Sequence, residues 1–575
     1  MIENIKLVNK TINSSERKKF IIFFSMSFLI PFLEFLSIAS LGALILFVVD
    51  LENSIKLVPI QSIQELIGSM DKVKLVFILS SIVLILIVLK NIFLLFYAYF
   101  ESKLKKEIGA SHSAHILKQY INKDFIDLVY LDTSEIQNDI LNQARKVSEY
   151  FIFLIALIKD SFLALFLIAG LFLVNFKITF FLILVSIIMS IFYFILTNKK
   201  VELIGKLASL FEGELVKVTQ NIFVGIKSII VFSKQKFFQN KFIEIITKKI
   251  RNEIWFETIS KLPRLVLEIV FAICIVLFIN YSIKSEGDIS KILPFLVFLS
   301  LVSIRMLPVF SNLNLILANL KHSEIVVKRL SKFWDTEHKI RNKSTTLKKK
   351  DYRDFNSIEL KNVSFSYDIN NNVINNLDFK FEKDKVYALT GVSGSGKSTL
   401  IDIISGFLKP TKGHVEVNNE NVYERLEFWR HQVAFVPQDN FLINDTIAAN
   451  ISFGEFDEQI DTKNLNDSID KSNLRNFVNE LPKKEKTLVG DRGINISGGQ
   501  RQRIGLARAL YRNRNFIALD EATSSIDQES EFFIMNTLHK IKKDKIIIII
   551  AHRQSTISLC DETIHLNKGI IEKKD

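Results

Sequence analysis

Six stretches of this 575-residue chain are long and apolar enough to occupy a lipid bilayer. A membrane-crossing helix needs about 20 mostly apolar residues. Residues 20–49, 75–100, 151–174, 178–196, 265–283 and 292–317 each come to about that length or more. Hydrocarbon offers no hydrogen-bond partner to the backbone, so each must be a helix. The run that opens at Phe20 is too long for the core of a cleavable leader, and no small-residue cleavage site follows a short one. Mean hydropathy is positive at +0.24 although 23% of residues are charged, the balance of a chain half in the membrane and half in water.

The loops predict orientation. Lys6, Lys10, Arg17, Lys18 and Lys19 precede the first run, and the connections 101–149 and 198–261 are long and rich in lysine. The positive-inside rule therefore places both termini and these two connections in the cytosol. Neither connection is large enough for a core of its own. They read as helical extensions of the membrane helices, each with a short transverse helix near 122–132 and 221–232. The third and fourth runs are joined by little more than residues 175–177, a tight outer hairpin. In the first outer connection, Val58, Ile60, Ile63, Leu66 and Ile67 recur at helical spacing among Gln61, Gln64 and Glu65. That segment is either an amphipathic helix on the outer interface or an ordinary loop.

From residue 357 the pattern changes to short β-like runs alternating with helices, an α/β nucleotide-binding pattern. The expected organisation is an α-helical transmembrane domain over 1–335, a basic linker over 336–356 and a soluble domain over 357–575. A net charge of +13 raises nucleic acid as a partner. The cations cluster beside apolar runs, as membrane topology requires, and that argues against it. Cys274 and Cys560 are the two cysteines, too few for a disulfide framework or a cysteine metal site.

Gly391, Ser393, Gly394, Ser395, Gly396, Lys397, Ser398 and Thr399 belong to a G-x-x-x-x-G-K-[ST] loop between an apolar run and a helix start. The competing reading is a glycine-rich turn, which needs neither the lysine nor the strand–loop–helix context. In the loop reading, backbone N–H groups and a helix N-terminus cradle phosphates. Lys397 supplies charge to the β/γ-phosphates and Ser398 a hydroxyl for Mg²⁺. A second apolar run, 516–519, ends in Asp520 and Glu521: one acid for the Mg²⁺ shell, the next to polarise water as general base.

Ile496, Ser497, Gly498, Gly499, Gln500, Arg501, Gln502 and Arg503 resemble the signature of ATP-binding cassette proteins, with Ile at the first position where Leu is usual. The resemblance covers essentially the whole chain. It implies a type I ABC exporter fold of six membrane helices fused to an α/β P-loop NTPase, with ATP and Mg²⁺ as cofactors. It also implies roles: Tyr367 stacking on adenine, Gln438 sensing Mg²⁺ and γ-phosphate, Asp527 in a dimer-facing loop and His552 as the switch histidine. Thr487–Gly493 is similar to the exporter loop that touches the transverse helices, with Asp491 where Glu is common. In this family the signature of one subunit closes over its partner's phosphate loop. The implied partner is a second copy (a homodimer) or a homologous half-transporter, the implied location the inner membrane of a bacterium.

Buried charge points to cargo, because each charge in the bilayer costs several kcal/mol unless partnered or wet. Arg305 lies deep in the sixth run; Arg264 and Glu268, one turn apart near the start of the fifth, read either as cargo ligands or as an internal salt bridge or snorkelling pair. Glu34 and Lys90, in the first and second, serve either cargo or helix packing. Arginine grips phosphate through forked hydrogen bonds. The stretches 261–268, 287–290 and 305–308 resemble those of bacterial flippases for lipid-linked oligosaccharides, which implies an anionic polyprenyl-pyrophosphate cargo bound by Arg264 and Arg305. A peptide or drug exporter is the alternative, and an ATP-gated regulator or channel the alternative from another class.

Overall fold

The computed structural model describes residues 14–49, 71–174, 176–286, 293–335, 355–368, 371–490, 493–522 and 527–572. The outer segment 50–70, the linker 336–354, residues 287–290, 491–492 and 523–526, and the side chains of Arg305 and Cys274 lie outside that set. The chain divides into two compact units. One holds residues 1–123 and 130–346; the other holds 124–129 and 347–575.

The first unit is helical. Its long members are α1 (Ser14–Val49) and α2 (Lys72–Ile121). After the short helix α3 (Phe125–Val129), α4 (Thr133–Asn138) runs through a π-helical turn, Asp139–Gln143, into α5 (Ala144–Val174). Then come α6 (Phe176–Val224), the short α7 (Ile226–Val231), α8 (Gln235–Glu286), α9 (Leu293–Leu330) and a final turn α10 (Lys332–Asp335). Windows within Glu16–Ile45, Val73–Ile121 and Thr133–Phe172 are long and apolar enough to cross a membrane. Helices α2, α6 and α8, of 50, 49 and 52 residues, run well past a bilayer's width, as the lysine-rich connections predicted. Pro31, Pro263 and Pro308 sit inside helices, a substitution that membrane helices tolerate when neighbours re-satisfy the freed carbonyl.

The two expected transverse helices are α3 and α7. They differ in surroundings. Helix α3 belongs to the second unit, where Ile126 packs on its main core and the Phe125 ring stands 5.7 Å from that of Phe407. Around α7, Phe223, Val224, Ile230, Val231 and Phe232 are all exposed, Val231 by 77%.

The second unit is built on two sheets. One is four-stranded and antiparallel, in the order β2 (Asn371–Glu382), β1 (Ser357–Asp368), β4 (Lys412–Val417), β5 (Glu420–Asn421). The other has six strands in the order β10 (Ile570–Glu572), β9 (Glu562–Asn567), β3 (Lys385–Thr390), β8 (Ile546–Ile550), β7 (Phe516–Asp520), β6 (Val433–Val436). Only the β9–β10 pair of this sheet is antiparallel. Strand β8 is five consecutive isoleucines, all buried, because helices cover both faces of a parallel sheet and leave no side for polar residues. Trp429, Tyr387, Phe381 and Phe516 fill the space between the sheets.

Helices α1 and α2 pack antiparallel with α5 around Phe23, Ile30, Tyr97, Leu104, Ile108, Ile152 and Ile155. Three polar contacts run down the α1–α2 seam. Lys19 Nζ meets Glu107 at 2.6 Å, Ser27 Oγ meets the Tyr97 hydroxyl at 3.0 Å, and Lys90 Nζ meets Glu34 at 3.4 Å. The partners descend on one helix as they climb on the other, in steps of about two to three turns, so all three lie along one seam. The two buried-charge candidates Glu34 and Lys90 are therefore each other's partners. Lys90 is 4% exposed, and removing it would take the opposite charge away from a buried carboxylate. Lys90→Leu is expected to destabilise the protein by on the order of 3 kcal/mol. The double variant Glu34→Leu/Lys90→Leu is expected to recover most of that loss, as read from unfolding midpoints in detergent.

Candidate active site

The phosphate loop starts where β3 ends, with Gly391 at φ +144° and Gly396 at φ +102°. A Cβ on Gly391 would stand 2.2 Å from the Leu566 carbonyl oxygen, so the close approach of β9 reserves this position for glycine. Gly396, in left-handed geometry, is the N-cap of α11 (Lys397–Ile404) and turns the first amides of that helix into the loop. Lys397 is buried, and its ammonium donates to the carbonyl oxygens of Gly391 and Val392, each at 3.0 Å. The Ser395 hydroxyl is buried with no hydrogen-bond partner among the described residues. A cationic side chain resting on main-chain oxygens beside an orphaned hydroxyl fits a polyanionic ligand, the triphosphate of ATP. Tyr367 projects from β1, 41% exposed, with its hydroxyl 3.3 Å from Thr399 Oγ1.

Strand β7 brings Asp520 to the same edge. Burial pushes its carboxyl above the usual carboxylate range; a hydrogen bond from Ser398 opposes that, and the Glu521 charge adds to it. Ser398, Asp520 and the amide of Gln438 offer the oxygen ligands Mg²⁺ takes. Glu521 turns the chain with φ +49°, an unfavourable region for a non-glycine residue. Its carboxylate is held on both sides: Gln438 Nε2 donates to Oε2 at 2.7 Å, and His552 Nε2 lies 2.8 Å from Oε1. Four residues that the sequence spreads over 115 positions, from 438 to 552, thus meet at one carboxylate and its neighbour.

The signature residues are placed differently. Ser497 caps α12 (Gly498–Tyr511) in a reciprocal box: its backbone N–H donates to Gln500 Oε1 at 2.9 Å and its Oγ accepts from the Gln500 amide at 3.3 Å. Ser497 and Gly498 are exposed. Among the described residues, no hydrogen bond ties Ser497–Gln500 to the Gly391–Thr399 loop. The capping box occupies the amides of Ser497 and Gln500, while those of Gly498 and Gly499 are helix-start donors with no acceptor inside the helix.

Arg264 and Glu268 are both exposed on α8, between the exposed apolar side chains of Leu262, Leu265 and Ile269. Arg305 lies on α9. Sequence reasoning missed a charged pair inside the third apolar run: Lys159 Nζ is 3.4 Å from Asp160 and 5.7 Å from the centre of the Tyr97 ring. The signal was present, two adjacent charges in a membrane helix, with nothing to say that they face a tyrosine of α2.

Comparison with known proteins places this geometry. Residues 374–524 match the ABC transporter family, over the stretch that runs from β2 to just past Glu521. An ATP-dependent lipid A-core flippase of Saccharophagus degradans is 29% identical over 417 residues, covering 72% of this chain and 69% of the relative. A protein of the same description from Paraburkholderia xenovorans is 28% identical over 456 residues, 76% of this chain and 71% of the relative. The structure of a bacterial Atm1-family ABC exporter with ATP bound superposes with a TM-score of 0.79 at 18% identity, across 97% of this chain and 96% of the other. The chain has the fold of an ABC exporter, a helical membrane unit fused to an ABC transporter ATPase domain. This exporter binds ATP and couples its hydrolysis to transport, and the fold expected from the sequence is the fold observed.

One acid beside the site was not anticipated. Burial, with the Asp520 charge adding to it, raises the Asp402 carboxyl of α11 from 3.8 to about 6. A raised acid pKa means the folded state binds the proton more tightly. The stabilising contribution is complete below about pH 4, the unfolded value, and lost as pH rises through about 6. Asp402→Asn is expected to raise the unfolding midpoint of the nucleotide-free exporter. The gain should grow from about pH 4 to about pH 6 and stay level above, in thermal scans across that range.

Proposed function

We propose that this exporter works as a homodimer in a bacterial inner membrane, with both termini and both cassettes cytosolic, and that it hydrolyses MgATP to move an anionic glycolipid to the outer leaflet. The observation that carries the hydrolytic part is Glu521, gripped between Gln438 and His552 at the end of β7. Glu521 orients and deprotonates the attacking water. Lys397 and the amides of Gly394–Thr399 hold the β- and γ-phosphates, and Tyr367 stacks on the adenine. Ser398, Asp520 and Gln438 would hold Mg²⁺, which supplies charge neutralisation on the transferring phosphoryl group. His552 holds Glu521 and reaches the γ-phosphate.

The dimer is supported by two surfaces that a single chain leaves open. Ser497 and Gly498 are exposed and, among the described residues, no hydrogen bond joins them to the phosphate loop of their own chain, so this helix start suits a partner's nucleotide. The second is the apolar α7 tip, Phe223 to Phe232, which suits a partner's cassette. The cassette unit of the same chain already holds α3, the other transverse helix. A cargo with a phosphorylated head group is supported by Arg264, by Arg305 and by the lipid A-core flippases among the relatives. A polyprenyl-pyrophosphate-linked oligosaccharide likewise joins an anionic phosphorylated head group to a long apolar tail, though its tail is an isoprenoid chain.

Two measurements on protein in liposomes test this. Glu521→Gln is expected to lower kcat for ATP hydrolysis by at least about a hundredfold while ATP still binds. Arg264→Ala and Arg305→Ala are expected to abolish stimulation of the ATPase by acidic glycolipid without changing basal turnover. Unchanged glycolipid stimulation in both arginine variants, or stimulation by peptides or cationic drugs alone, would overturn the cargo reading.

A further inference from the structure

The loop that carries His552 is fastened from behind by a carboxylate that no motif contains. Glu531 lies one turn into α13 (Gln528–Ile541) and is 2% exposed. An acid at that depth is unfavourable unless its oxygens are occupied. Both are. Oε2 accepts from the Arg553 guanidinium at 2.8 Å, and Oε1 accepts from the Thr556 hydroxyl. These donors are the first and fourth residues after His552. Arg553 stands at the N-cap of the short helix Gln554–Ile557 and gives it no side-chain cap, so Glu531 does the tethering there.

The same turn of α13 begins at Asp527, which caps the helix by accepting from the Ser530 amide at 2.8 Å. Asp527 and Glu531 are four residues apart, on one face of the helix. One rigid turn therefore carries the end of the dimer-facing loop on one side and the anchor of the His552 loop on the other. His552 needs such an anchor. It follows the last buried residue after β8, its side chain is 48% exposed, and its described hydrogen bond is the one to Glu521.

We propose that Glu531 is a positioning residue for ATP hydrolysis, holding the 552–556 loop so that the His552 ring stays within reach of Glu521. This rests on reading Glu521 and His552 as the hydrolytic pair. Its mechanical content is that the cassette sets the histidine by way of α13, not by way of β8 alone.

The test is a double-variant cycle on the full-length exporter in liposomes, with steady-state ATPase kinetics for Glu531→Gln, His552→Ala and the pair. Acting through His552, Glu531→Gln lowers kcat about tenfold with KM for ATP within about twofold, and removes nothing further in the His552→Ala background. An equal loss in both backgrounds, or a loss expressed in KM, marks a merely structural residue and overturns the inference. If His552→Ala lowers kcat and Glu531→Gln does not, the inference falls alone. If His552→Ala leaves kcat unchanged, the hydrolytic pair falls and the inference with it. Thr556→Val keeps size and the charge pair while removing one bond, so it serves if Glu531→Gln does not fold. It is expected to give a smaller loss with the same non-additivity, and additive losses would overturn the inference.

Discussion

The chemistry of the cassette depends on hydrogen bonding between four parallel strands, β3, β8, β7 and β6 in that order. Parallel neighbours in register finish at one edge, and here Leu389 lies beside Ile550, Asp520 beside Ile550 and Val436 beside Leu519. The chain leaving each strand is thereby delivered to the same place. What leaves β3 is the phosphate loop; β7 ends in Asp520 and Glu521; β8 is followed by Ala551 and His552; and β6 leads to Gln438. No side-chain interaction has to find these residues. Backbone register brings them together, and the side chains settle the last few ångströms.

That economy explains why so much of the active site was legible from the chain alone. A strand–loop–helix with G-x-x-x-x-G-K-[ST] fixes its own geometry, since the glycines occupy positive φ or face another backbone. An apolar run ending in two acids could by itself precede a plain loop; beside the phosphate loop it reads as a parallel strand reaching the same edge. Glu531 and Asp402 were not legible for the converse reason. Each is an ordinary acid in a helix, and its importance comes from a neighbour far along the sequence, Arg553 for one and Asp520 for the other. Periodicity and motif spacing hold no information about such pairings.

In the membrane unit the division falls elsewhere. Length and hydropathy sufficed for six helices, and lysine-rich connections for the long extensions of α2, α6 and α8. They could also single out Glu34 and Lys90 as costly residues. They could not say that the two are partners, because the pairing depends on the register of α1 against α2. Ser27 with Tyr97 and Lys19 with Glu107 report that same register, and only the packed structure displays it. Arg264 differs from this pair: it is exposed on α8, whereas Lys90 is enclosed.

The Glu34–Lys90 pair also bears on how the protein reaches the bilayer in the first place. Ribosomes deliver α1 before α2, so Glu34 exists for a time without its lysine. A lone charge near the middle of a helix penalises insertion by about 2.5–3.5 kcal/mol on translocon scales. Entering together, the two helices cancel that penalty. The pair thus favours handing over the first hairpin to the lipid as one object, and makes the assembly of this exporter sensitive to how long the translocon retains its opening helix.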